Sequence, residues 1–220
     1  METLPRVRSP PISQSEIKFF EQAAIIARMK TVGNFRWLLL VFLTFAVLER
    51  LYERRFSSQA KRGDVKMFWS YAAFHILHAL IYVGTGLEFF LLRRTVIWPL
   101  AVLGVILFAV SLVLRLTAIR TLGRYWSLNL EIRKDHQLVR EGIYRHLRHP
   151  AYSAIMLEVV AIPLVGNAWC TLLVSLLGYI PLLLARWVRE EREMIDKFGP
   201  AYEKYREEVP AFWPSLPGRK

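Results

Sequence analysis

The chain has one cysteine, Cys170, among its 220 residues. It lies inside an apolar run, so no disulfide within the chain and no thiolate metal site can form, and a small buried thiol is its plainest reading. A glycine-rich turn between a strand and a helix is also missing, which removes a Rossmann-type dinucleotide site. No internal repeat and no low-complexity tract interrupts the chain. Acids are scarce beside bases, 18 against 30, and the net charge of +12 invites a nucleic-acid reading. The bases, however, fall in gaps between apolar runs and follow no continuous face, so membrane topology accounts for them better and no nucleic-acid partner is expected.

Hydrophobic residues make up 54% of the chain and are gathered into runs over 35–51, 67–92, 95–119, 151–165 and 168–188. Several reach the length a helix needs to cross about 30 Å of hydrocarbon. The expected fold class is all-α, a polytopic membrane protein of about five transmembrane helices. The fourth run is short, and the fifth follows after only Gly166 and Asn167, so these two are expected to form a tight helical hairpin. Upstream, the segment SEIKFFEQAAIIARMK at 15–30 mixes apolar pairs with charges at helical spacing, which suits a helix lying in the interface and is too polar for a signal peptide. The whole chain reads as a single membrane domain: an interfacial N-terminus over 1–34, three spans over 35–119 and a cofactor-binding core over 120–220.

Lys and Arg concentrate in 50–66, 120–149 and 189–220, leaving Arg93, Arg94 and the 166–167 tip for the other side. That bias places the C-terminus in the cytoplasm, with an inner membrane expected for a prokaryotic host and the endoplasmic reticulum for a eukaryotic one. The basic residues of the N-terminal stretch, Arg6, Arg8, Lys18, Arg28, Lys30 and Arg36, run against it for an odd number of spans. Two cytoplasmic pieces, 123–150 and 186–217, carry too much Trp, Tyr, Leu and Ile to be loose linkers, and are expected to fold over the bundle as a cap.

Chemistry concentrates in EGIYRHLRHPAY at 141–152. Pro150 suits the first turn of a helix, so Arg148 and His149 stand just before a helix N-terminus whose free backbone donors favour an anion. Arg145 and Arg148 offer fork-shaped donors for a carboxylate or phosphate, and Tyr144 and Tyr152 add flat amphipathic faces. Anchoring to lipid headgroups explains the same arginines. On the continuation of the fifth span, Arg186, Glu190 and Glu193 recur at helical spacing with Glu191 beside them, a pattern that a surface salt-bridge ladder would also give.

Taken together, GIYRHLRHPAY at 142–152, an apolar hairpin with Asn167 near its tip, the Arg186 to Glu191 stretch and FGPAYEKYREEVP at 198–210 resemble the isoprenylcysteine carboxyl methyltransferase family. The resemblance covers about the last eighty residues; earlier spans match only generically. It implies an integral membrane enzyme that binds S-adenosyl-L-methionine between the last helices and the cap and methylates a lipid-like acceptor reached from the bilayer, first of all the carboxylate of an isoprenylcysteine. Membrane lipids are the other partners expected. Two positions depart from the family's habit, Ala154 where a glycine is frequent and Ala168 where a proline follows the tip asparagine. A pattern of Arg, His, Pro and Tyr also occurs in membrane sterol reductases that use NADPH. The paired Glu190 and Glu191 favour a cationic sulfonium over a phosphate-rich cofactor. A non-catalytic membrane scaffold is the alternative from another class.

Under this resemblance the acceptor is positioned by arginine, Arg186 first and Arg145 second, with Glu190 also in the catalytic set. Tyr144, His149, Pro150, Tyr152, Glu190 and Glu191 are expected around the cofactor. A carboxylate acceptor needs no base; for a phenol or thiol, Glu190, Glu191 or His149 would serve. No metal is expected: His75 and His78 share a helix face without nearby carboxylates or cysteines and suit hydrogen bonding between helices. Glu88 and Glu158 are costly in lipid and should face the bundle or a wet cavity, and Glu158 is a candidate for contact with the cofactor pocket. Tyr125 and Trp126 read as interfacial anchors, and Gly84 and Gly86 as places of close packing.

Overall fold

A computed structural model describes residues 22, 33–53, 64–66, 68–92, 94–126, 130–132 and 138–213. By backbone contacts the chain falls into two units, 1–38 and 39–220. In the first, residues 33–38 are helical; the interfacial helix expected over 15–30 lies outside the described residues. Everything below belongs to the second.

That unit is built from helices: α1 (39–53), α2 (Phe68–Leu91), α3 (Trp98–Leu122), α4 (Pro150–Val165), α5 (Trp169–Val174), α6 (Ile180–Phe198) and α7 (Pro200–Glu208). The all-helical expectation needs one correction, a two-stranded antiparallel ribbon in which β1 (Asp64–Lys66) pairs with β2 (Leu130–Ile132). Strands of three residues are too short to show an alternating pattern, so nothing in the sequence announces them.

Punctuation follows local chemistry. Proline occupies the first turn of α3, α4 and α7, where its missing N–H costs no hydrogen bond. Gly123 and Gly199 end α3 and α6 with φ of 50° and 52°, a left-handed region that glycine enters without a Cβ penalty. Pro181 cannot donate to the ladder, and just before it the turn Ser175–Tyr179 widens to π-helical geometry, so α5 and α6 run on as one 30-residue helix.

Among the described residues, three helices are long and apolar enough to cross a membrane: Ala72–Leu91, Trp98–Leu122 and Trp169–Phe198. The shorter α4 has 16 residues, roughly 24 Å at 1.5 Å per residue. Its hairpin with α5 is as expected, and the tip of Gly166, Asn167 and Ala168 is buried. Asn167 adopts φ 51°, accepts the Ile97 backbone N–H through its side-chain oxygen and donates to the Leu164 carbonyl at 2.9 Å. On the same side Glu88 is buried as expected and caps α5, accepting from the N–H groups of Cys170 and Thr171 at 3.1 and 2.9 Å and pairing with Arg94 at 2.7 Å. Gly84 permits close packing, since a Cβ there would sit 3.0 Å from the Thr171 hydroxyl. Gly104 lets α3 meet α4, its would-be Cβ falling 2.8 Å from the Ala161 carbonyl oxygen and the Val165 nitrogen.

Buried charge ties the bundle together. Glu158 of α4, wholly buried, accepts hydrogen bonds from Arg50 of α1, Arg115 of α3 and Tyr82 of α2, the last at 2.8 Å. Arg50 also holds Glu53 at 2.6 Å, and Arg115 holds Glu49 at 2.7 Å. Each carboxylate therefore has a guanidinium partner, the condition for charges at this depth.

Candidate active site

The 3-10 turn Gly142–Arg145 and the irregular backbone after it lead into α4, and the segment 209–212 lies across them as a strap. Arg148 and His149 donate their backbone N–H groups to the carbonyls of Pro210 and Ala211, both at 2.9 Å. The Arg148 Nε donates to the Val209 carbonyl at 2.7 Å, and the Ser153 hydroxyl to that of Phe212, also at 2.7 Å. Phe212 packs edge-on against Trp187, ring centres 4.8 Å apart. The strap joins the described parts of the two polar pieces, 123–150 and 186–217, that the sequence reading took as a cap.

Inside the cap, Glu191 is a hub. Its carboxylate accepts from the Arg148 Nη1 at 2.5 and 2.6 Å and from the Tyr202 hydroxyl at 2.9 Å, stands 2.6 Å from the His149 Nε2, and pairs with Arg206 at 3.1 Å. Both of its oxygens are engaged by the protein. Glu190, one residue earlier and about 100° around the helix, turns to the other side. There it accepts the Tyr152 hydroxyl proton, with the His149 Nδ1 3.8 Å from its other oxygen.

That other side is a cavity of about 450 Å³. Of the residues expected at the site, Tyr144, His149, Tyr152, Arg186 and Glu190 line it. Arg186 is buried and stacks on Phe74, its guanidinium carbon 5.4 Å from the ring centre. Pro150 is buried as the first residue of α4, next to the wall residues His149 and Ala151. Glu191 is absent from the lining because it serves the hub, and Arg145 is exposed on the 3-10 turn, also outside the lining. Arg148, named only as a fork-shaped donor, takes the inward place instead.

Burial raises the cap tyrosines. It pushes the Tyr205 hydroxyl up to about 12, and those of Tyr144 and Tyr202 well above the usual range, with Glu190 and Glu191 respectively adding to the rise. Tyr202 and Tyr205 are donors: Tyr202 donates to Glu191 at 2.9 Å, and Tyr205 donates to the Tyr144 carbonyl and fixes the turn that carries Tyr144.

Several wall residues go beyond the sequence reading. Tyr125 and Trp126 are wall residues, not interfacial anchors: both line the cavity, and Trp126 is buried because the chain turns inward after Gly123. Deeper in the bundle the wall includes Arg50, Glu53, His75, His78, Tyr82 and Tyr179. His78 joins helices as expected, with its Nδ1 2.7 Å from the Tyr179 hydroxyl. Glu158 stands behind this wall, outside the lining, and reaches it through Arg50 and Tyr82.

Residues 102–196, which carry most of α3, all of α4 and α5, and most of α6, match the family model of the isoprenylcysteine carboxyl methyltransferase (ICMT) family. The core of this chain carries the ICMT family pattern. An uncharacterized protein of Bacillus subtilis, YpbQ, is 28% identical over 170 residues, 74% of this chain and 98% of its own length. The protein-S-isoprenylcysteine O-methyltransferase of Schizosaccharomyces pombe is 39% identical over 85 residues, 38% of this chain and 36% of its own. Among solved structures, the eukaryotic intramembrane Ras methyltransferase ICMT aligns with a TM-score of 0.51 at 23% identity, covering 71% of this chain and 56% of that one. The chain thus spans about a third to three fifths of the length of the methyltransferases named among its relatives. The shared fold and the apolar helices make it an integral membrane protein.

Proposed function

We propose that the protein is a membrane methyltransferase that uses S-adenosyl-L-methionine to methylate a lipid-like acceptor, with an isoprenylcysteine-type carboxylate as the first acceptor to test. One observation carries the reading: one cavity brings Glu190 and Arg186, both in the stretch that matches the family, together with the tyrosine faces of the cap and apolar side chains of α1 and α2. The donor set fits the cofactor. Carboxylate and aromatic faces suit a sulfonium, and about 450 Å³ suits a ligand of drug-like size. The bases of 50–66, 120–149 and 189–220 support a cytoplasmic C-terminus, whereas those of the N-terminal stretch run against an odd number of spans.

When bound, S-adenosyl-L-methionine supplies an electrophilic methyl group on a sulfonium. The protein's share is positioning. Tyr152 orients the Glu190 carboxylate toward the cationic end of the site through its hydroxyl. Arg186, held on Phe74, presents a guanidinium for the acceptor carboxylate. His149, fixed through its Nε2 by Glu191 and through its backbone by the strap, closes the wall beside them. Burial keeps water from competing as a nucleophile, and a carboxylate acceptor attacks without a base. For a protic acceptor, Glu190, a cavity carboxylate beside Arg186 and Tyr152, would serve as base.

Calorimetry on detergent-solubilised protein tests this directly. S-adenosylhomocysteine should bind and NADPH should not; binding of neither would assign the chain to a scaffold, and binding of NADPH alone to a reductase. Radiolabelled methyl transfer to farnesylated cysteine then checks the acceptor class.

A further inference from the structure

The cavity has a second polar end, deep in the bundle. Arg50 and Glu53 of α1, His78 and Tyr82 of α2, and Tyr179 all line it there. His78 and Tyr82 belong to the span Ala72–Leu91 and Tyr179 to the span Trp169–Phe198, a depth at which polar side chains are costly and mark sites and pathways. The ionic network that ties the bundle does not account for this wall. Arg115, Glu49 and Glu158 serve that network from outside the lining, whereas Arg50, Glu53 and Tyr82 reach from it to the cavity. Hydrogen-bonding capacity is left over. Arg50 commits three of its five N–H groups, to Glu158 and Glu53, and the His78 Nε2, 3.9 Å from the Glu158 Oε1, has no hydrogen-bond partner among the described residues.

An apolar belt separates this end from the cap end. Phe74 touches both, its ring centre 5.1 Å from that of Tyr179 and 5.4 Å from the Arg186 guanidinium carbon, and Ile155 and Leu183 line the cavity with it. Arg186 and Tyr179 stand on one continuous helix, so they are about 10 Å apart along its axis at 1.5 Å per residue. We propose that the deep end is a second recognition site for the acceptor, and that it reads a hydrogen-bonding oxygen, a hydroxyl or a carbonyl, carried about 10 Å down the acceptor's tail from the methylated group. The proposal rests on the methyl-transfer reading, in which Arg186 holds the group that is methylated. A plain hydrocarbon tail laid on this wall strips Arg50 and His78 of solvent without pairing them. A hydroxyl there accepts from Arg50 and suits His78 in either tautomer, because it both gives and takes hydrogen bonds. Arg50, Glu53, His78 and Tyr82 all lie before the stretch 102–196 that matches the family, so the tail is read by a part of the chain outside it.

Two acceptors in lipid nanodiscs test this: N-acetyl-S-dodecylcysteine and its analogue with a hydroxyl on the fifth carbon of the tail, each dosed as a mole fraction of the lipid so that partition into the bilayer does not enter. With S-adenosylmethionine as donor, the parent should show a KM for the hydroxylated acceptor at least tenfold below that for the plain one, with kcat within twofold. His78→Phe and Arg50→Lys should lose this preference while S-adenosylhomocysteine affinity stays within twofold; should Arg50→Lys not fold, His78→Phe decides alone. No preference in the parent, or the full preference kept in His78→Phe, overturns the proposal. A second arm needs no turnover. By calorimetry the hydroxylated acceptor should bind the parent at least tenfold more tightly than the plain one, and His78→Phe should bind both alike; equal binding to the parent overturns the proposal. Failure of the parent to bind S-adenosylhomocysteine would instead defeat the methyl-transfer reading, while the acceptor calorimetry still decides whether an oxygen is read at the deep end.

Discussion

Glu190 and Glu191 are neighbours in sequence with opposite surroundings, and substitutions should separate them. Glu190→Gln removes a carboxylate that faces the cavity and should weaken S-adenosylhomocysteine and S-adenosylmethionine binding by about 1.5–3 kcal/mol, the value of a hydrogen bond to a charged group, with the larger loss for the sulfonium. Its unfolding temperature should hold. Glu191→Gln strips the hub from Arg148, His149, Tyr202 and Arg206, so its first effect should be on stability, about 3–5 kcal/mol as for a broken buried ion pair. Thermal unfolding measured beside calorimetry distinguishes the two outcomes. Among the arginines, Arg148→Lys should destabilise the cap, whereas exposed Arg145→Lys should leave binding and stability as they are. The cap tyrosines add a pH signature. Their raised pKa values mean that the folded state favours the neutral hydroxyl, so the stabilisation is fully present below pH about 10, the unfolded value, and is lost as pH rises through 12. Tyr205→Phe should cost about 1 kcal/mol near neutrality and make the alkaline decline shallower, as unfolding temperature against pH would show.

Helix contacts make their own predictions. At Gly104 a Cβ would meet backbone atoms of α4, which cannot swing aside, so Gly104→Ala should destabilise by about 1–3 kcal/mol although alanine is the better helix former. Gly178 has no atom within 4 Å of its would-be Cβ, so Gly178→Ala should be neutral or stabilising by up to about 1 kcal/mol. Thermal unfolding of the pair gives the comparison. Much at this scale was legible in advance. Apolar run lengths marked the helices, Pro150 marked the start of α4, and the spacing of Arg186 and Glu190 put both on one face. Which arginine of Arg145 and Arg148 points inward was not legible, because the 3-10 turn ends at Arg145 and irregular backbone follows it, so no helical period relates the two. The partners of Glu158 were equally hidden: Arg50 lies 108 positions away and Arg115 lies 43 away, and only tertiary packing unites them.

For the molecule as a whole, the strap is what converts a membrane bundle and a cap into one site. A chain ending at Glu208 keeps every apolar helix but loses the acceptors for the N–H groups of Arg148 and His149 and the Phe212 contact. It should still enter membranes, yet bind S-adenosylhomocysteine at least tenfold more weakly, about 1.4 kcal/mol, as calorimetry would register. The same scale explains why the site was only partly readable. Motif residues announced the cap side of the cavity, but Tyr125, Trp126 and the α1–α2 wall carry no pattern of their own and join the site only because the chain turns inward after Gly123 and α1 packs beside α2.

The Arg50–Glu158–Arg115 network bears on how the chain is made. During synthesis α1 and α3 emerge with guanidinium groups bound for the bilayer interior, and the carboxylate that neutralises them arrives only with α4, which is itself short and carries Glu158 at its middle. A charge left alone at that depth costs several kcal/mol, so none of these helices is a comfortable lodger by itself. Biogenesis must then hold the early helices in a sheltered setting until α4 appears, and the three settle into lipid as a group. A ribosome-bound chain stopped before Pro150 already holds α2 and α3 and should resist alkaline carbonate while remaining crosslinked to the insertion machinery, and one extended past Val165 should be released from it.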